Sequence, residues 1–261
     1  MSTASTPEEK PRIVFAGDRD IALWVLSFLV HEGVAPVALM LAGEGASHTR
    51  QLLSLCPHLC PPDVFRGNEF KSKTALKHLR ELKPDYIISV HFPYILPKEV
   101  LALSKHGVLN LHPAYLPYNR GWHTPTWAIW EGTPFGATLH FMREEVDAGD
   151  IVHQKKLEVR PDDTADSLYQ RVKGLELEVF KEGWRQIVTG KFKRKSQPAG
   201  KGTLHNKADI AKIQMIDLDE RVPGDLLRKL RALTTNKIEE AAYFEVNGKK
   251  YRVQVKITEE G

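Results

Sequence analysis

Between residues 12 and 112, short apolar runs alternate with helix-like segments, and that alternation leaves very few folds open to the chain. Arg12 to Ala16 (RIVFA) is rich in β-branched residues and stops at Gly17-Asp18. Ile21 to Glu32 reads as a buried helix, with Asp18 or Asp20 as its cap. Val34 to Leu41 (VAPVALML) reads as a second strand despite Pro36. After a polar loop, Glu69 to Leu82 places Leu76, Leu79 and Leu82 on one helical face. A third strand, Asp85 to Val90, a short helix from Pro97 to Ser104 and a fourth strand, Gly107 to His112 (GVLNLH), complete the series. Strands alternating with helices predict an α/β fold: a Rossmann-like, mostly parallel sheet with helices on both faces.

The pattern then changes. Gly136 to Arg143 and Ile151 to Val159 read as two strands joined by the loop EEVDAGD. Thr164 to Thr189 reads as one long helix, with Asp163 or Thr164 as cap. The basic stretch KFKRKSQPAGKG marks a boundary. Beyond it, a helix around Pro223 to Thr234 and two strands, Ala241 to Val246 and Lys249 to Ile257, form a small helix-hairpin appendage. Their link, Asn247-Gly248, is the strongest short hairpin signal. The expected organisation is a disordered leader over residues 1–11, a catalytic domain over 12–190, and a linker with a small C-terminal subdomain over 191–261.

Several function classes are disfavoured at once. The first strand–helix turn, FAGDRDIA, lacks the spaced glycines that bring a pyrophosphate to a helix N-terminus. The longest apolar run, Ile21 to Val30, is too short for a bilayer, and the opening residues lack a secretory pattern. A cytoplasmic protein without a membrane partner is expected, and only two cysteines suit a reducing compartment. Cys56, His58 and Cys60 in CPHLCPP do not have zinc spacing, so no metal is expected. A net charge of +4 is mildly basic and does not by itself argue for nucleic acid.

The chemistry concentrates after the fourth strand, in LNLHPAYLPYNRGWHTPTWAI. Ligands of open parallel sheets bind at the carboxyl ends of strands. Asn110 and His112 lie two apart, on one face of that end, and prolines fix the exit. The pair joins a donor that never titrates to a group that titrates near neutrality. Asp147 lies in the loop returning to the same end, where a carboxylate would raise the imidazole pKa and orient the ring. Amide, imidazole and carboxylate together suit acyl transfer through a tetrahedral intermediate. No obvious Ser, Thr or Cys nucleophile accompanies them, so a substrate amine is the expected nucleophile.

Asn110-Leu111-His112-Pro113, Leu116-Pro117, Arg120-Gly121 and Val146-Asp147-Ala148-Gly149 resemble, in that order, the motifs of the formyltransferase family that uses 10-formyltetrahydrofolate. The resemblance covers roughly residues 12 to 190. It implies Asn110, His112 and Asp147 as the catalytic triad, with His112 protonated beside Asp147. It also implies a folate pocket lined by Phe92, Tyr94, Ile95 and Leu96, with the stretch from His140 through Glu144 to Asp147 at the polar edge of the pterin.

Within that family, the short C-terminal extension and the segment YLPYNRGW most resemble members that formylate nucleotide-linked amino-deoxysugars, of the dTDP-4-amino-4,6-dideoxyglucose type. Tyr118, Arg120 and Trp122 are then candidate substrate contacts. Lys201, Thr203 and His205 are candidates for the diphosphate and sugar, a solvated basic linker being the other reading of that segment. Trp127 and Trp130 read as helix-packing residues. The implied partner is a small-molecule nucleotide sugar rather than nucleic acid, the setting O-antigen biosynthesis, and a homodimer is left open. A methionyl-tRNA formyltransferase-like enzyme and a non-catalytic folate- or nucleotide-binding module remain as alternatives.

Overall fold

The computed structural model describes residues 10–43, 45–198, 200–217 and 223–259. Residues 1–9 of the expected leader lie outside the described residues. The chain divides into two compact units.

The first unit comprises the chain up to Leu111, with Phe141–Glu144 and Gly183–Phe192. It holds β1 (Ile13–Gly17), α1 (Arg19–His31), β2 (Ala38–Leu41), α2 (Thr49–Ser54), β3 (Val64–Arg66), α3 (Lys73–Glu81), β4 (Tyr86–Val90), α4 (Lys98–Leu101) and β5 (Gly107–His112), whose last residue passes into the second unit. The five strands are parallel, in the order β3-β2-β1-β4-β5. Every residue of β1, β2 and β4 is buried, as in a parallel sheet covered on both faces. One core is built on Val14, Met40, Phe70, Leu79, Ile87 and Val108. The Rossmann-like expectation holds here.

Three local differences have physical causes. β2 starts only at Ala38. Pro36 has no amide hydrogen to pair, and its carbonyl accepts from the His58 imidazole at 2.9 Å. The helix expected over 69–82 is a 3-10 turn, Glu69–Lys71, followed by α3. Extended Ser72 separates them and caps α3, its hydroxyl accepting from the Ala75 amide at 3.2 Å. The strand β3 was not expected, because three residues are too few to carry a period.

The second unit comprises His112–His140, Glu145–Glu182 and the chain from Lys193 onward. It holds β6 (Arg120–Gly121), α5 (Thr124–Glu131), β7 (Phe135–Phe141), β8 (Ile151–Leu157), α6 (Ala165–Val188), β9 (Leu204–His205), α7 (Pro223–Leu233), β10 (Ala242–Val246) and β11 (Lys249–Val253); β7 and α6 end within the first unit. β7 and β8 pair antiparallel. Thr164 caps α6 by accepting from the Ser167 amide at 3.3 Å, while Asp163 pairs with Arg171. β10 and β11 form the expected hairpin, with Asn247 and Gly248 both at positive φ. Ile210, Ile216, Leu233 and Ala242 form a small core beneath it.

The residues after 193 are tied to the middle of the chain. β6 pairs in parallel with β9. Arg231 of α7 also donates to the carbonyls of Asp163 and Arg160, at 2.8 and 2.7 Å. These bonds gather the residues after 193 with those of 112–182.

Candidate active site

β5 ends in His112, whose side chain is 8% exposed. Its Nε2 lies 3.1 Å from the Asn119 carbonyl and 3.5 Å from Asp147 Oδ2. A carbonyl only accepts, so Nε2 carries a hydrogen, and these contacts leave Nδ1 open. Asp147 is held from three sides. The Gly121 amide donates to Oδ2 at 2.9 Å, and His140 Nε2 lies 3.5 Å from Oδ1. Behind it, the Gln197 side-chain amide donates to the Asp147 and Gly149 carbonyls at 2.7 and 2.8 Å. The result is a buried His112–Asp147–His140 cluster, its two imidazoles edge to face at 6.4 Å.

The charge state follows from burial. Desolvation pushes the His112 imidazole below its ordinary value, more than the Asp147 carboxylate raises it; His140 adds to the lowering, and the Asn119 carbonyl and Glu176 oppose it. Burial alone would raise the Asp147 carboxyl, but His112, His140 and the Gly121 amide together hold it well below the usual carboxylate range. The carboxylate is therefore ionised at neutral pH. Burial thus works against the protonated His112 expected from sequence, and Asp147 works for it.

The loop that supplies these groups is fastened by hydroxyls. Thr124 donates to the Pro113 carbonyl at 2.7 Å. Thr138 donates to Ala114 at 2.7 Å and accepts from the Leu116 amide at 3.2 Å. Asn119 is fully buried at φ 57, a conformation that asparagine tolerates. Its amide donates to the Thr203 hydroxyl at 2.8 Å. The amides of Arg120 and Trp122 donate to the carbonyls of Thr203 and His205, both at 2.9 Å. Glycine makes this approach possible: a Cβ on Gly121 would stand 2.2 Å from the His205 carbonyl oxygen, and one on Gly202 2.1 Å from that of Pro117. Gly202→Ala, at φ 98, is expected to cost about 2 kcal/mol and lower Tm by several degrees in calorimetry.

The other expected site residues fall into groups. Phe92 and Tyr94 are half-buried against Phe70, with ring centroids 5.5 and 6.4 Å from it, and Leu96 is buried beside them. Ile95 is 79% exposed. Glu144 pairs with Lys98 at 3.1 Å on the surface. His140 joins His112 and Asp147 through its contact with the carboxylate. Asn110 is half-buried on β5. Tyr118 is half-buried, Trp122 exposed beneath the Lys207 ammonium at 5.4 Å, and Arg120 has a buried Nε with no hydrogen-bond partner. Lys201 is exposed. The Thr203 hydroxyl accepts from the Asn119 amide, and His205 stacks on buried Trp127 at 3.8 Å. Among the described residues no group of side chains could hold a metal ion, and no helix is long and apolar enough to cross a membrane.

Two parts of the site escaped sequence reasoning. Asn119 works through its backbone carbonyl, which leaves no trace in residue type. Glu176 left one: it is fully buried on α6, in register with buried Leu168, Val172 and Phe180. An acid on the apolar stripe of a helix was a legible signal.

With this geometry in place, comparison with known proteins is informative. Residues 44–183 match the formyl transferase family, and residues 209–259 match an N-formyltransferase dimerization C-terminal domain. A dTDP-4-amino-4,6-dideoxyglucose formyltransferase of Mycobacterium tuberculosis is 33% identical over 174 residues, covering 66% of this chain and 72% of that protein. A methionyl-tRNA formyltransferase of Myxococcus xanthus is 32% identical, covering 86% of this chain and 73% of that one. The crystal structure of a 4-N formyltransferase from Francisella tularensis superposes with a TM-score of 0.78 at 25% identity, covering 96% of this chain and 99% of that one.

Proposed function

The chain belongs to the formyl transferase family, and from that premise we propose that it moves a formyl group from 10-formyltetrahydrofolate to the amine of a nucleotide-linked amino-deoxysugar. The observation that carries this reading is the buried His112–Asp147 pair, held by the Asn119 carbonyl and the Gly121 amide inside the matched region. The sugar acceptor is supported by the C-terminal match and by the amino-sugar-formylating relative. Assembly as a homodimer through residues 209–259, a cytoplasmic site of action and a place in O-antigen synthesis belong to the same reading.

The chemistry follows from the groups present. The amine nitrogen attacks the formyl carbon, and charge gathers on the formyl oxygen. The Asn110 side-chain amide is the donor for that oxygen, worth about 3 to 4 kcal/mol. His112, neutral and with Nε2–H committed to Asn119, accepts the amine proton at Nδ1. The resulting imidazolium is stabilised by Asp147 and returns the proton to the departing folate nitrogen as its bond to the formyl carbon breaks. No net proton is lost. The half-buried Phe92 and Tyr94, with Leu96, fit the apolar wall a pterin needs. Tyr118, Arg120 and Trp122 are the candidate contacts for the acceptor, with Lys201, Thr203 and His205 for its diphosphate and sugar.

The test is formylation of a panel of dTDP-, UDP- and GDP-linked amino sugars, in competition with charged initiator tRNA and followed by mass gain. A sugar nucleotide gaining one formyl group is the expected result. Formylated tRNA with no modified sugar would overturn the acceptor and keep the family. No product from any acceptor would overturn both.

A further inference from the structure

The turn that serves His112 and Asp147 is held at its exit by the C-terminal segment. His123 follows the turn and precedes α5, with a left-handed backbone at φ 57. Its imidazole reaches two pieces of that segment. Nε2–H donates to the Lys207 carbonyl at 3.3 Å, and Nδ1 lies 3.6 Å from a Glu240 carboxylate oxygen, an ion pair when the ring is protonated; burial pushes the imidazole below its ordinary value, and Glu240 is the largest influence raising it. The two side chains are only 9% and 14% exposed. Lys237 donates to the other Glu240 oxygen at 3.3 Å and fixes the carboxylate. α5, which His123 introduces, packs against α7 of the same segment. Glu240 lies within the stretch that matches a dimerization domain.

We propose that this C-terminal segment is also part of the active site, with Glu240 and His123 as positioning residues that hold the turn from Asn119 to Gly121 against His112 and Asp147. The proposal rests on reading those two as the catalytic pair. The distances carry the logic. Gly121 is two residues from His123, and its amide is one of the donors on Asp147. Asn119, two residues further back, offers the carbonyl that sets the His112 tautomer. Pairing with β9 holds this turn along its length, and the His123 imidazole anchors the end at which it leaves for α5. Releasing that end lets the Gly121 amide and the Asn119 carbonyl drift together, and a hydrogen bond of about 3 Å tolerates little drift.

The experiment uses the full chain with Glu240→Gln, His123→Asn and the double variant. Asparagine suits the left-handed backbone at position 123, so loss of the imidazole is separated from loss of the turn. Each single variant is expected to lower kcat about tenfold with KM for both substrates nearly unchanged, because geometry rather than binding is disturbed. The double variant is expected to be no slower than the worse single, as for two halves of one contact. Hydrogen exchange of the Gly121 amide, read by NMR, is expected to quicken about tenfold while core amides of β1 do not change. Sedimentation reports whether assembly is altered. An unchanged Gly121 exchange rate in both singles overturns the proposal, whatever happens to assembly, and so do independent, multiplying effects in the double variant. If the wild-type chain formylates no sugar nucleotide, the functional reading fails, yet the Gly121 amide still decides whether Glu240 positions the turn.

Discussion

His112→Ala is expected to cut kcat for formyl transfer by about a thousandfold while far-ultraviolet circular dichroism stays that of the wild type. The side chain is buried and its Nε2–H is spent on a backbone carbonyl, so alanine removes the one imidazole that the proposed proton path uses. Loss of the ring leaves the Asn119 carbonyl without its donor, and a modest fall in Tm goes with the loss of rate. Steady-state kinetics at saturating donor and acceptor check the effect. A His112→Ala enzyme turning over within about tenfold of wild type would remove His112 from the proton path and leave only the oxyanion contribution of Asn110.

Asp147→Asn is expected to lower kcat about a hundredfold and also to move its pH dependence, and the direction is diagnostic. In the folded protein His112 titrates below its ordinary value of 6.5, chiefly because it is buried. The neutral base therefore persists to lower pH than a free imidazole would, and kcat rises with pH through a midpoint under 6.5. Asp147 is the largest influence acting against that lowering. Its neutralisation depresses the imidazole further, so the acid limb of the kcat profile moves to lower pH in the variant. An acid limb that stays in place, or moves up, would show that His112 is not the titrating group. Asn at position 147 retains the left-handed backbone seen there, φ 49, so the loop itself is preserved. The Gly121 amide keeps an acceptor, the Asn carbonyl oxygen, and what is removed is mainly charge.

The parallel sheet was legible because its evidence is local. Ile13–Gly17 and Tyr86–Val90 are buried at every residue, and a strand covered on both faces reads as a nearly continuous apolar run, broken here only by Ser89. The hairpin at Asn247-Gly248 was legible because a tight turn with two positive φ angles selects those residue types. Asn110, His112 and Asp147 stood out for a related reason: chemistry limits which side chains can serve, and their motifs are short and ordered.

Other features depend on distance through space, which residue type does not encode. Thr203 and His205 looked like ligands for a diphosphate, since a hydroxyl and an imidazole in a basic stretch have that potential. The pairing of β6 with β9 turns Thr203 toward the Asn119 amide and stacks His205 on Trp127, contacts that residue type does not announce. The charge of His112 is likewise a matter of surroundings. From sequence, a nearby carboxylate argues for an imidazolium, whereas the depth of burial decides the outcome, and desolvation grows with every group packed around the ring. The sequence by itself determined which side chains are capable of the chemistry. Tertiary structure alone decided which of them meet, and that the carbonyl of Asn119 and the amide of Gly121, groups present in every residue, would lie against His112 and Asp147.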